Sequence, residues 1–151
     1  MPPITVFIAD REKRRTEQCL DLLRTAKDVR VVGTARSAQE AIAGADSKPH
    51  ILLFDLNMSH NNAAPALVLI RAKTPRTKVI LLTGQASDAK ILEAISQGAR
   101  GYLGPIAIRR FLIKAVRVVH AGESWVPRAM VAKIIDCLTR LHLKKTRLAK
   151  Q

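Results

Sequence analysis

Two aspartates in this chain stand at the ends of apolar runs. Asp10 follows Ile4-Thr5-Val6-Phe7-Ile8-Ala9, and Asp55 follows Ile51-Leu52-Leu53-Phe54, with Asn57 two residues further on. A short apolar run without alternation reads as a strand covered on both faces, the kind found in the middle of a parallel sheet. A carboxylate just past such a strand lies at the carboxyl edge, where ligands collect in open doubly wound sheets. Two carboxylates on that edge could hold a hard cation such as Mg²⁺, which takes oxygen ligands and keeps several of its waters. Thr83 and Pro105 follow two further strand-like runs, Lys78–Leu82 and Arg100–Leu103, and so belong to the same edge. The competing reading of Asp55 is that it merely opens a turn, as Asp often does. Cys19 and Cys137 have no metal-ligand spacing and read as buried thiols.

Positioning these residues requires strands alternating with helices. Five strand-like runs occur, at residues 4–9, 29–35, 50–55, 78–83 and 100–103. The second is weaker and partly polar, as an edge strand should be. Between them the spacing predicts a basic amphipathic helix with Cys19, Leu20, Leu23 and Ala26 inward and Arg11, Lys13, Arg14, Arg15 and Glu17 on its polar face. Ser37-Ala38-Gln39-Glu40 has the spacing of a capping box, Pro65 suits a first helical turn, and Ser87 suits a cap for a helix that Gly98 ends. A strongly apolar helix covers about 107–120. Pro127 starts a last one that reaches towards Gln151, with Met130, Ile134, Cys137 and Leu141 at spacings of four, three and four. The pattern specifies an α/β fold with a parallel sheet over residues 1–126 and a C-terminal helix over 127–151.

Composition narrows the function. The chain has 151 residues, enough for one domain, and no apolar run near membrane-spanning length, so the expectation is a soluble, cytoplasmic protein without a secretory signal. It carries 26 Lys+Arg against 12 Asp+Glu, a formal charge of +14, and after residue 93 the balance is 12 to 2. A field of that sign speeds encounters with acidic partners or nucleic acid, or simply solvates the surface.

At Ile8-Ala9-Asp10, Leu53-Phe54-Asp55-Leu56-Asn57-Met58, Lys78–Thr83, Gly98–Leu103 and Ala121-Gly122-Glu123 the chain resembles the receiver domain of bacterial two-component response regulators, most closely the LuxR/NarL type. The resemblance covers residues 4 to about 127. It implies a flavodoxin-like (βα)5 doubly wound sheet of order 2-1-3-4-5, with Asp55 as the acceptor of a phosphoryl group from a histidine kinase. It also implies Mg²⁺ held by Asp10, Asp55 and the backbone carbonyl of Asn57, with Thr83 and Tyr102 as the switch pair. Two positions depart from the pattern. Arg11 stands where the family has its direct metal-binding acid, and Pro105 stands where it has a lysine. Proline offers no donor. The loop Met58–Asn62 also lacks the usual proline and glycine.

The reading that fits these departures is a degenerate receiver, with weak or absent phosphorylation and poor binding of Mg²⁺, its one candidate cofactor, acting through protein contacts. In it Arg11 pairs with Asp55; the competing reading has Arg11 pointing to solvent while Asp10, Asp55 and the Asn57 carbonyl still bind Mg²⁺ through waters. The alternative is the receiver portion of a LuxR/NarL-type DNA-binding regulator whose helix-turn-helix is absent from this chain. An enzyme is not expected. Aspartyl-phosphate hydrolases resemble Asp-x-Asp, and Asn57 cannot serve as their acid/base. A flavin-binding protein would need a Ser/Thr/Gly-rich loop where Asp10–Arg15 lies. Two associations are expected. One is homodimerisation through Phe111, Leu112, Val116 and Val119 with the stripe from Met130 to Leu141, unless the last helix folds back on its own domain. The other is contact of the basic tail, Lys144, Lys145, Arg147 and Lys150, with nucleic acid or an acidic protein.

Overall fold

The structure, a computed structural model, describes residues 2–58 and 64–150. Five strands form one parallel sheet: β1 (Ile4–Ala9), β2 (Val29–Ala35), β3 (Ile51–Asp55), β4 (Lys78–Leu82) and β5 (Gly101–Leu103), in the order β2-β1-β3-β4-β5. The expected order 2-1-3-4-5 is therefore the observed one. Helices α1 (Lys13–Arg24), α2 (Ala38–Gly44), α3 (Ala64–Lys73), α4 (Asp88–Ser96) and α5 (Pro105–His120) connect the strands, and α6 (Arg128–Ala149) follows. No helix among the described residues is long and apolar enough to cross a membrane.

Strand alternation divides the core in two. Val6, Ile8, Ile51, Leu53, Ile80 and Leu82 face α1 and α5, while Phe7, Leu52, Phe54, Val79 and Leu81 face α2, α3 and α4. Both sets are buried, which is why β3 and β4 show no polar alternation. Parallel register places Ala9 opposite Phe54 and Asp55 opposite Leu82. The residues after each strand consequently gather at one edge.

Caps set the helix ends much as the spacing predicts. The Ser37 hydroxyl accepts from the Glu40 amide at 3.1 Å, and the Glu40 carboxylate reaches back to the amide of Arg36, one residue before the cap. We expect Ser37→Ala to lower stability by about 1 kcal/mol, read as a shift in urea midpoint with an unchanged slope. Gly98, at φ +105°, ends α4 in a conformation that only glycine adopts without strain. Helix α5 starts at Pro105 rather than near Ala107, because a proline at the first turn loses no hydrogen bond.

The apolar faces offered for dimerisation are largely used within the chain. Leu112, Val116 and Val119 are buried against the sheet, and Phe111 packs on Trp125 with ring centroids 5.6 Å apart. Met130 is buried and Ile134 packs on the α4 face of the core, so the start of α6 folds back on its own domain. Lys133 pairs with Asp88 at the first residue of α4. Further along, Ile134, Cys137, Leu138 and Leu141 lie over Leu92, Ile95 and Ser96. What α6 leaves exposed is Val131, Ile135, Leu138, Leu141, Leu143 and Leu148.

Candidate functional site

Asp10 and Asp55 meet at the carboxyl edge of β1 and β3, both inaccessible to solvent. Between them lies a side chain that the helical pattern had placed on the polar face of α1. Arg15 is buried, with its Nε 2.5 Å from Asp10 Oδ2 and its Nη2 2.9 Å from Asp10 Oδ1. The same Nη2 is 3.3 Å from Asp55 Oδ1, and Nη1 is 3.4 Å from Glu12. A Cβ added at Gly84 would lie 3.6 Å from Arg15 Nη1, so the guanidinium also reaches the loop after β4. The placement of Arg15 on a solvent face is thus corrected. Its spacing of four to Cys19 and eight to Leu23, the other two buried residues of α1, was the signal that it points inward.

Arg11 takes the other side of Asp55. Its backbone N–H and its Nε donate to Asp55 Oδ2 at 3.2 and 3.3 Å. Of the two orientations open to Arg11, the pair with Asp55 is the one formed. The amide of Asn57 donates to Asp55 Oδ1 at 2.9 Å, and that of Glu12 to Asp10 Oδ1 at 2.9 Å. Each of the four carboxylate oxygens is therefore engaged by N–H donors of the chain itself. The fork of Arg15 on Asp10 is bidentate, the geometry that makes arginine–carboxylate pairs strong and directional.

Burial pushes the Asp10 carboxyl above its ordinary range, as does the charge of Asp55, against the opposing pull of Arg15 and the Glu12 amide. For Arg15, burial works against the charge, but Asp10, Asp55 and Glu12 outweigh it and hold the guanidinium above its usual value. The cation is kept. Beneath it the Cys19 thiol is pushed up to about 12 by burial and by Asp10, which leaves it protonated and unreactive.

Thr83, next after β4, has a buried hydroxyl with no hydrogen-bond partner among the described residues. Such an orphan costs about 1–3 kcal/mol. Tyr102 is half-buried, its hydroxyl 3.6 Å from where a Cβ on Gly104 would stand, and burial followed by the charge of Asp88 raises its phenol. Pro105 stands exposed at the start of α5 and brings no charge to the edge. The Asn57 side chain donates to the Gln85 carbonyl at 3.4 Å, tying the loops after β3 and β4. Of the loop Met58–Asn62, residues 59–62 lie outside the described residues.

These residues do not fit a divalent cation. Mg²⁺ requires oxygen ligands in near-octahedral array at about 2.0–2.1 Å. Here the two carboxylates already face two guanidinium groups, and no cluster of three or more acidic, His or Cys ligands exists among the described residues. A metal entering between Asp10 and Asp55 would meet two cations that already balance these two carboxylates.

The chain matches the response regulator receiver domain over residues 6–117. It belongs to that family. The receiver is 33% identical over 134 residues to the transcriptional regulatory protein LnrK of Bacillus subtilis, covering 88% of this chain and 61% of that protein. To the response regulator protein VraR of Staphylococcus aureus it is 32% identical over 120 residues, 79% of this chain and 57% of the other. The receiver thus spans about three fifths of the length of these relatives. A two-component response regulator of the LuxR family from Aurantimonas sp. SI85-9A1 has the same fold, with a TM-score of 0.79 at 21% identity over 91% of this chain and 99% of that one.

Proposed function

We propose that this receiver is a signalling module whose phosphorylation site is occupied by its own arginines, and that it acts through protein contacts without Mg²⁺-dependent phosphorylation of Asp55. One observation carries the reading: all four oxygens of Asp10 and Asp55 accept N–H donors from within the chain. Phosphoryl transfer relies on electrostatic stabilisation by positioned cations, a bound metal among them. At this edge the acid that would bind the metal is Arg11, and no lysine stands at Pro105. In this reading Asp55 keeps the phosphoacceptor position, and Asp10, Asp55 and Asn57 the metal position, without the chemistry. Thr83 and Tyr102 keep the places of the switch pair. The partners are a histidine kinase or a regulatory target protein met in the cytoplasm, and a second copy of the chain met along the exposed apolar residues of α6. No catalytic turnover is part of this function.

Incubation with acetyl phosphate and Mg²⁺, followed by intact-mass measurement, tests the reading. The expected result is no phosphoryl adduct. A stoichiometric adduct that Asp55→Asn abolishes would sink it. The orphan hydroxyl of Thr83 makes a parallel sample in EDTA informative, since an adduct there would mean that Arg11 and Arg15 stand in for the metal.

A second reading is supported by the name and length of LnrK. There this chain is the receiver portion of a LuxR/NarL-type DNA-binding regulator, with the helix-turn-helix beyond it. Sequencing the transcript past the codon for Gln151 decides between them.

A further inference from the structure

The edge of the sheet opposite Asp55 carries a second charged feature. At the amino ends of β4 and β5 lies an open cavity of about 360 Å³ lined by Arg71, Arg76, Lys78 and Arg100, with Pro75, Thr77 and Gly98 and with no carboxylate. Arg71 lies in the last turn of α3, where a cation offsets the helix dipole, so its position alone signifies little. Lys78 likewise serves a helix end, its Nζ donating to the His120 carbonyl at the end of α5 at 3.2 Å, but Arg76 and Arg100 have no such explanation, for neither lies in a helix. Among the described residues neither Arg76 nor Arg100 forms an ion pair, and both are exposed. Four cations held around one cavity repel one another unless an anion sits among them.

Helix α6 brings more charge to the same end. Its second turn meets Asp88, the first residue of α4, through Lys133, and the turns that follow, Ile134 to Leu141, line one groove with Leu92, Ile95 and Ser96 further along α4. The two helices thus run in the same direction, and α6 leaves the domain past the end of α4, where Gly98 and the cavity lie. From His142 to Ala149 it continues for about 12 Å at 1.5 Å per residue. Lys144, Lys145 and Arg147 are exposed on that stretch, which has no acidic residue.

From this juxtaposition we propose that the cavity rim and the end of α6 together form a phosphate-binding pole for the backbone of duplex nucleic acid. An extended polyanion fits because one phosphate row can engage both parts, whereas a small anion would fill the cavity and leave the tail unused. No Phe, Tyr or Trp lines the cavity or lies beyond Leu141, so the pole has no large aromatic platform for reading bases. Binding is therefore independent of sequence and driven by counterion release. The pole is on the far side of the sheet from Arg15, so this proposal stands or falls independently of the state of Asp55.

Fluorescence anisotropy of the full chain with two labelled 20-base-pair duplexes of unrelated sequence, over a salt series, provides the test. With roughly five phosphates engaged, the logarithm of affinity should fall against the logarithm of salt with a slope of about −4 to −5, alike for both duplexes. Arg76→Glu with Arg100→Glu should weaken binding at least about tenfold at low salt and flatten the slope by about 2. Lys144→Glu with Lys145→Glu should do the same, with circular dichroism and melting temperature unchanged in both variants. Absence of wild-type binding at low salt would overturn the proposal, as would unaltered binding by the rim variant. Binding of poly-glutamate or of anionic phosphatidylglycerol vesicles as tight as that of the duplex would overturn the choice of partner.

Discussion

Replacing Arg15 with alanine is expected to destabilise the receiver by about 3–5 kcal/mol, because it leaves two buried carboxylates with only Arg11 to compensate them. In a chain of this size that is a fall in melting temperature of roughly 10 °C or more. The pH dependence identifies the cause. Without Arg15, burial and the nearby charge of Asp55 hold the folded Asp10 carboxyl above its unfolded value. A group raised in the folded state contributes stability below its unfolded value, near 4 for Asp, and loses it as pH rises through the folded value. The deficit of the variant should therefore be small in acid and widen towards neutral pH. Asp10→Asn combined with Arg15→Met removes both partners at once, and its cost should fall well short of the single change, since the penalty lies in the unpaired charge. A melting temperature within about 2 °C of wild type for Arg15→Ala would show that the guanidinium does not hold this edge.

The second large effect is a gain. Arg11→Asp together with Arg15→Ala should turn an edge indifferent to Mg²⁺ into one that binds it. The first change supplies a third carboxylate beside Asp10 and Asp55, and the second empties the space between them. At a metal concentration 100-fold above the dissociation constant, binding adds about 2.7 kcal/mol to stability. Thermal melts with and without 10 mM Mg²⁺ should thus differ by several degrees for the double variant and not at all for wild type. Arg11→Asp alone should respond weakly, because Arg15 still occupies both aspartates. If that single change bound Mg²⁺ as well as the double variant did, Arg15 would lose its role as the obstacle. Equal Mg²⁺ dependence in wild type would remove the whole account.

Much of this was legible in the residues, and the part that was not has a physical reason. The apolar runs before Asp10 and Asp55 placed both carboxylates on one edge because a doubly covered parallel strand has nowhere else to put its first polar residue. Arg11 stood out because its position is one where the family has an acid. Arg15 did not, since a basic residue on a basic helix suggests solvent, and only its register with Cys19 and Leu23 says otherwise. Long cationic side chains defeat burial patterns in this way whenever the head finds a carboxylate to meet. Helix α5 misled in the opposite sense. Leu112, Val116 and Val119 looked surplus to one domain, yet a sheet buried on both faces needs a fully apolar helix over it.

The grip of Arg15 on Asp10 also determines what sort of device the edge can be. A dissolved cation is present at whatever level the surroundings supply, and a chelator can withdraw it. A guanidinium on the same chain acts at an effective concentration set by its tether, which dilution does not change. On the proposed function, with the charge supplied from within, no reversible ligand acts at this edge through which mass action could change the protein's shape. On the proposed reading such a receiver has no memory of past stimuli. Its message is the number of copies in the cell, read by synthesis and degradation.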